Sequence, residues 1–356
     1  RCPLTQGRFH DRNTGITGKG MGRMAGTVMD FGTTRDGRRV QAVDLRGSAL
    51  RARILTYGAT LQDLRLAGTP WPLTLGSDRL AAYEGPLRFA GAVVGPVANR
   101  IAGGAAIVGG QACTFDRNEP QATLHGGSTG TSAQICRIEE ASDRTVTLAL
   151  DLPDGLGGFP GNRRLNATYR LDGDALELTL GATSDAPTLF NLAHHSYWAL
   201  DGRATTEGQI LTVAADRYLP VDTDKLPTGS VAGVAGTVFD LRQGTRLGQI
   251  SQFDINLCLA DAPGPLRRVA TLRGATGVTM TLETTAPGLQ VYDGAGLDGG
   301  HFPGLTGQPI GPFAGIALEP QLWPDACHHP GFPSHLFEKG ETFRQVTRYR
   351  FTRTPI

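Results

Sequence analysis

Runs in which apolar and polar residues alternate dominate this chain and constrain it more than any other feature. Thr145-Val146-Thr147-Leu148-Ala149-Leu150, Leu176-Glu177-Leu178-Thr179-Leu180, Val278-Thr279-Met280-Thr281-Leu282 and Gln345-Val346-Thr347-Arg348-Tyr349-Arg350-Phe351 show the pattern. A period of two lays one face of a strand on a core and the other towards solvent. Arg51 to Leu66 reads as two more strands, broken at Gly58. With 49 Gly and 22 Pro in 356 residues, turn formers are frequent enough to separate many short strands. Asp172-Gly173-Asp174 and Ala286-Pro287-Gly288 fit hairpin turns. Helical signal is confined to Ser77–Tyr83, with Ser77 or Asp78 as its N-cap. No repeat or composition shift marks an internal boundary. The expectation is one all-β domain over 25–356, an antiparallel sandwich of two large sheets, preceded by a flexible tail over 1–24.

Charge removes several classes of function. Lys+Arg number 34 and Asp+Glu 33, without the basic excess of a nucleic-acid or anionic-membrane binder. No apolar run approaches the ~20 residues of a membrane helix, and the first 25 residues lack the apolar stretch of a secretory signal. The 5 cysteines are odd in number, widely spaced and without a CxxC pair, which argues for free thiols and a reducing compartment. A cytoplasmic protein, monomeric or weakly homodimeric, is expected, with neither nucleic-acid nor membrane partners.

Some segments break the alternation with polar residues that a strand core does not need. Asn99-Arg100, Leu124-His125-Gly126-Gly127, Asn191 to Trp198, and Leu318-Glu319-Pro320-Gln321 with Pro324-Asp325-Ala326 stand out; Phe253-Asp254-Ile255-Asn256 is a weaker case. Glu319 follows the apolar Ile316-Ala317-Leu318; desolvation there would raise its pKa and suit it as a base, while an exposed strand end is the plainer alternative. His194 and His195 are adjacent, so in a strand they face opposite ways and do not chelate one ion together; a hydrogen-bonded core histidine beside aromatic residues is the plainer reading of the pair. No HxH or HExxH spacing occurs, and neither metal nor cofactor is expected. His125 alone reads as a turn residue, Arg100 as a surface ion pair, and Asp254 as a strand-end residue.

Taken in order, these segments resemble the aldose 1-epimerase (galactose mutarotase) family. Further matches are Gly158-Phe159-Pro160-Gly161-Asn162, Leu219-Pro220-Val221-Asp222, Pro227-Thr228-Gly229 and Pro287-Gly288-Leu289-Gln290-Val291-Tyr292, and the likeness runs from about residue 26 onward. The resemblance implies a β-sandwich with an open sugar cleft. It implies Glu319 as the general base that takes the proton of the anomeric hydroxyl, and His195 as the general acid at the ring oxygen. It implies Asn99, Arg100, His125, Asp254 and Gln290 as binders of sugar hydroxyls. Opening, rotation about C1–C2 and closure would interconvert anomers of a neutral aldose such as glucose or galactose.

The chain departs from the family pattern at His194 (often Asn), Ile255 (His), Pro96 (Arg) and Cys327-His328-His329 (Asn-His, with His328 in the Asn position). Loss of the histidine at 255 is expected to alter sugar preference. Of the cleft motifs only Arg100 is cationic, which argues against a sugar phosphate. Rival readings are a pentose or deoxy-sugar mutarotase, a lyase or glycosidase on a related sandwich, and a non-catalytic sugar sensor. Trp198 and Tyr197 are expected in the core.

Overall fold

The computed structural model describes residues 27–248 and 253–354. The expected tail over 1–24 and Cys2 lie outside the described residues. Among the described residues a nine-stranded antiparallel sheet is the largest unit. Its centre is built from Arg163–Asp172, Ala175–Ser184, Thr342–Arg353 and Val278–Thr284, in that order. Each alternating run found in the sequence falls within one of its strands. In Val278–Thr284 Val278, Met280, Leu282 and Thr284 are buried and Thr279, Thr281 and Glu283 half-exposed, as a one-sided sheet requires.

A six-stranded sheet follows the order Tyr197–Trp198, Ile316–Gln321, Gly288–Tyr292, Asp254–Cys258, Arg217–Tyr218, Ala232–Gly233. Leu257, Leu289, Val291 and Leu318 of this sheet share one buried cluster with Leu148, Leu178, Met280 and Tyr349 of the larger one. The two sheets therefore meet face to face across a common core. A four-stranded meander, from Thr27–Thr33 to Leu61–Leu66, adds Val43, Ile54 and Leu61 to the same cluster. Its last two strands, Leu50–Leu55 and Leu61–Leu66, are joined through Gly58 at φ +63°, so the break falls where the sequence places it.

Two local expectations fail. The helix is a single turn, Leu80–Tyr83, preceded by Arg79 in an extended conformation with no side-chain cap. The candidate caps are engaged elsewhere: Ser77 Oγ donates to the Pro303 carbonyl at 2.9 Å, and Asp78 Oδ1 accepts from Gln62 Nε2 at 3.2 Å. Ala286-Pro287-Gly288 is not a hairpin, because Thr284 ends a strand of the large sheet and Gly288 begins one of the six-stranded sheet. The segment carries the chain between layers, and the Pro287 carbonyl is held by the Leu259 N–H at 2.8 Å and the Trp323 indole at 3.0 Å. Asp172-Gly173-Asp174 does form a tight turn, with Asp172 paired to Ala175.

Candidate active site

The six-stranded sheet divides its side chains by the same period of two. Ile255, Leu257, Leu289, Val291, Ile316 and Leu318 enter the core. Asp254, Gln290, Tyr292 and Glu319, which alternate with them, line a cleft of about 400 Å³ on the opposite face, within the ~300–1,000 Å³ of small-molecule sites. The register pairs Gln290 with both Asn256 and Glu319, and Asp254 with Tyr292. Ile255 is buried in the core, so the departure from the family's histidine at that position leaves the cleft lining untouched.

The wall facing this sheet comes from loops. Asn99 and His125 both sit at positive φ, +62° and +53°, and are tied together: the His125 N–H donates to the Asn99 carbonyl at 3.0 Å, and the Asn99 N–H to His125 Nδ1 at 3.1 Å. With Nδ1 accepting, the neutral ring carries its proton on Nε2. Gly126, at φ +84°, lets the chain turn immediately afterwards; a Cβ there would lie 2.1 Å from the Gly95 carbonyl oxygen. Asn99 Oδ1 accepts the Arg100 N–H at 2.9 Å. The side chain of Arg100 is only 14% exposed and grips Glu119 through two bonds of 2.7 and 3.0 Å. It also approaches Asp254 at 3.9 Å. It is thus a desolvated cleft residue and not a surface pair.

His194 and His195 part company as adjacent residues should. His194 is buried with Nδ1 3.2 Å from the Tyr349 hydroxyl and Nε2 3.2 Å from Ser196 Oγ, and burial pushes its pKa down to about 3. It is a satisfied core histidine. His195 turns into the cleft, its backbone fixed by bonds of 2.9 Å to Ala92 and Gly91. Its Nε2 lies 3.5 Å from Glu319 Oε1. His195 Nδ1 and Glu319 Oε2 are buried and make no hydrogen bond to the described protein, which is costly unless a ligand supplies the partner.

Burial shifts both groups towards neutrality. Glu319 is raised well above the usual carboxylate value by desolvation and then by the charge of Asp254, with Arg100 opposing. His195 is lowered to about 4 by desolvation. In water a glutamate and a histidine differ by about 2 pKa units in favour of the ion pair, ~3 kcal/mol. Burial reverses that order, with His195 at about 4 and Glu319 raised well above the usual carboxylate value, so GluH/His⁰ is the resting form of the one-proton pair. His125, His195 and Glu319 also each offer a ligand atom within 4.8 Å of the others, a donor set with the composition of a divalent-metal site.

All seven residues singled out in the sequence, Asn99, Arg100, His125, His195, Asp254, Gln290 and Glu319, line this one cleft. Gln290 Nε2 donates to Asp254 Oδ1 at 2.7 Å. Others there were not legible. Glu119 carries no periodic or motif signal in its loop. Phe89 faces the rings of His125 and His195 at 4.7 and 6.1 Å. Arg88 is a second cation at the mouth, 4.8 Å from the Phe89 ring centre, so Arg100 is not alone. Tyr197 is buried as expected yet also lines the cleft, 5.0 Å from the His195 ring, whereas Trp198 is wholly in the core.

Fold and cleft together define a class: large antiparallel β-sandwiches with a desolvated carboxylate–imidazole pair on the outer face of one sheet. Sequence comparison narrows the class. Residues 41–350 match the family model described as aldose 1-epimerase. The chain is 35% identical over 327 residues to galactose mutarotase of Homo sapiens, covering 89% of this chain and 95% of that protein. It is 32% identical over 341 residues to aldose 1-epimerase of Escherichia coli K12, covering 89% and 96%. A solved aldose epimerase homologue from C. elegans superposes with a TM-score of 0.82 at 27% identity, covering 88% of this chain and 99% of that one. The chain belongs to the aldose 1-epimerase family.

Proposed function

We propose that this protein interconverts the α and β anomers of a neutral aldose, with Glu319 and His195 as its base and acid. The supporting observation is the buried pair at 3.5 Å. Mutarotation removes a proton from the anomeric hydroxyl and adds one to the ring oxygen, and both oxygens are bonded to the same carbon. A base and an acid must therefore stand side by side. Glu319 takes the hydroxyl proton and His195 delivers its own, which opens the ring to the aldehyde. C1 rotates, and the reverse transfers close the ring on its other face. By these shifts the free pair rests as GluH/His⁰; Glu⁻/HisH⁺ is the tautomer that opens the ring, and GluH/His⁰ is restored while the chain is open.

Hydrolysis by two carboxylates uses a separation of ~5–9.5 Å across the scissile bond. The second carboxylate here, Asp254, is engaged by Gln290 at 2.7 Å and faces Arg100. Hydroxyl binding suits it better than proton donation. Arg100, His125 Nε2–H and Gln290 present donors, and Asp254 an acceptor, to the sugar hydroxyls. The charge of Arg100 is met by Glu119 and Asp254, which leaves it little net charge to offer an anionic sugar.

Polarimetry of freshly dissolved α-D-glucose, α-D-galactose, α-D-xylose and glucose 6-phosphate tests the reading. Faster approach to anomeric equilibrium is expected for at least one neutral sugar and not for the phosphate. Release of reducing sugar from glycosides, without mutarotation, would instead reveal a hydrolase. Glu119→Gln probes the cleft wall. Freed from its carboxylate, Arg100 closes on Asp254 and takes its oxygens from the sugar. KM is expected to rise ~10-fold or more with kcat nearly unchanged, the scale of one charged hydrogen bond. A fall in kcat at constant KM would show that Glu119 acts in the chemical step.

A further inference from the structure

Asp325-Ala326-Cys327-His328-His329 is the densest cluster of metal-ligating side chains in the sequence, and nothing in the sugar chemistry uses its thiol or its two imidazoles. We propose that Asp325, Cys327, His328 and His329 form a site for a borderline-soft divalent transition ion of the Zn²⁺ class, outside the sugar cleft. Asp325, Cys327 and His328 each offer one ligand atom, all within 4.8 Å of one another. Cys327 Sγ is 3.7 Å from His328 Nδ1 and 3.9 Å from Asp325 Oδ1. Bonds of ~2.3 Å to sulfur and ~2.0–2.1 Å to nitrogen or oxygen place tetrahedral ligands roughly 3.5 Å apart, so both spacings are near that of a formed site. His328 Nδ1 and Asp325 Oδ1 are hydrogen-bonded at 2.7 Å, and an ion replacing that proton needs them to open by under 1 Å.

His329 stands outside the three ligand atoms already gathered within 4.8 Å and would complete the set by a turn of its side chain. Its Nε2 is buried, makes no hydrogen bond to the described protein and lies 3.6 Å from Asp325 Oδ2. The ring is held by Phe332, 4.8 Å away between centres. Asp325 is 2% exposed and its Oδ1 accepts the Ala102 N–H at 3.0 Å, a backbone contact of the kind that orients a metal-binding carboxylate. Cys327 and His328 are partly open to solvent, which gives the ion a path. The same geometry argues against an activated thiol. The His328 nitrogen nearest the sulfur is already committed to Asp325, so the base position beside Cys327 is taken.

The test is a Co²⁺ titration of the metal-free full-length chain, followed by displacement with Zn²⁺. One equivalent is expected to give intense tetrahedral d–d bands together with a thiolate-to-cobalt charge-transfer band. Cys327→Ser should lose the charge-transfer band, and His329→Ala should weaken binding ~10-fold or more, as loss of one of four ligands implies. Zn²⁺ should raise the Tm of wild type and not that of Cys327→Ser, while mutarotation by Cys327→Ser stays at the wild-type rate. A weak octahedral spectrum with no thiolate band overturns the proposal. So does cobalt binding that survives in Cys327→Ser and disappears in Glu319→Gln, which would place the ion on His125, His195 and Glu319.

Discussion

Glu319→Gln and His195→Gln are each expected to lower kcat for mutarotation by ~10²–10⁴, the contribution of one positioned proton transfer. Neither change alters the volume of the cleft much, so sugar binding measured by calorimetry should persist. Because one proton cycles between the two groups, the double variant should be scarcely worse than either single one. The pH profile gives the second readout. The competent pair holds one proton. Adding another protonates His195, lowered to about 4, and removing it ionises Glu319, which is raised well above the usual carboxylate value. A bell is expected, with its acid limb below the ordinary histidine value and its basic limb above the ordinary carboxylate value. Either variant should abolish the bell. Near-wild-type rates in Glu319→Gln would remove that residue from the chemistry and leave Asp254 as the base to examine.

Mild acid should unfold the protein steeply. His125, His194, His195 and His335 are buried and neutral, and desolvation holds each pKa below the ordinary 6.5: His194 at about 3, His195 and His335 at about 4, and His125 well down. The unfolded chain takes up these protons near pH 6.5 while the native state refuses them, so stability falls as pH drops from about 6.5 towards 4. Glu319 acts in the opposite sense, since its native pKa lies above its unfolded one. The net is about three protons, or ~4 kcal/mol per pH unit at 1.36 kcal/mol for each. A typical native state has only ~5–15 kcal/mol in all. Denaturant titrations at pH 7, 6 and 5 should show that slope, with an acid midpoint between roughly pH 4 and 5.5. The acid limb of the rate profile must therefore be read within seconds of a pH jump. A stability that is flat from pH 7 to 5 would mean that these histidines are solvated or charged in the native protein.

The period-two pattern made the strands of the larger sheet legible because runs such as Val278–Thr284 are buried on one side only. The same pattern separates Leu318 from Glu319 and His194 from His195, but the choice of Glu319 and His195 as candidate base and acid came from motif order and the family resemblance. What escaped was non-local. Glu119 reaches the cleft only because its loop folds back onto Arg100, and Arg88 only because its segment lies across the mouth. The failed hairpin at 286–288 has a similar origin: turn-forming residues announce a change of direction but not which sheet receives the next strand. Ser77 looked like a helix cap until the distant Pro303 carbonyl claimed its hydroxyl.

The strand Thr342–Arg353 follows every other described element in the chain, yet it sits inside the larger sheet, bonded to Ala175–Ser184 on one side and Val278–Thr284 on the other. During synthesis the two halves of that sheet emerge long before the strand that joins them. Until it arrives, each half presents a long unsatisfied edge, the kind of surface that recruits other chains. Completion of the larger sheet is thus deferred until this strand is available, and until then both neighbouring edges stay open to pairing.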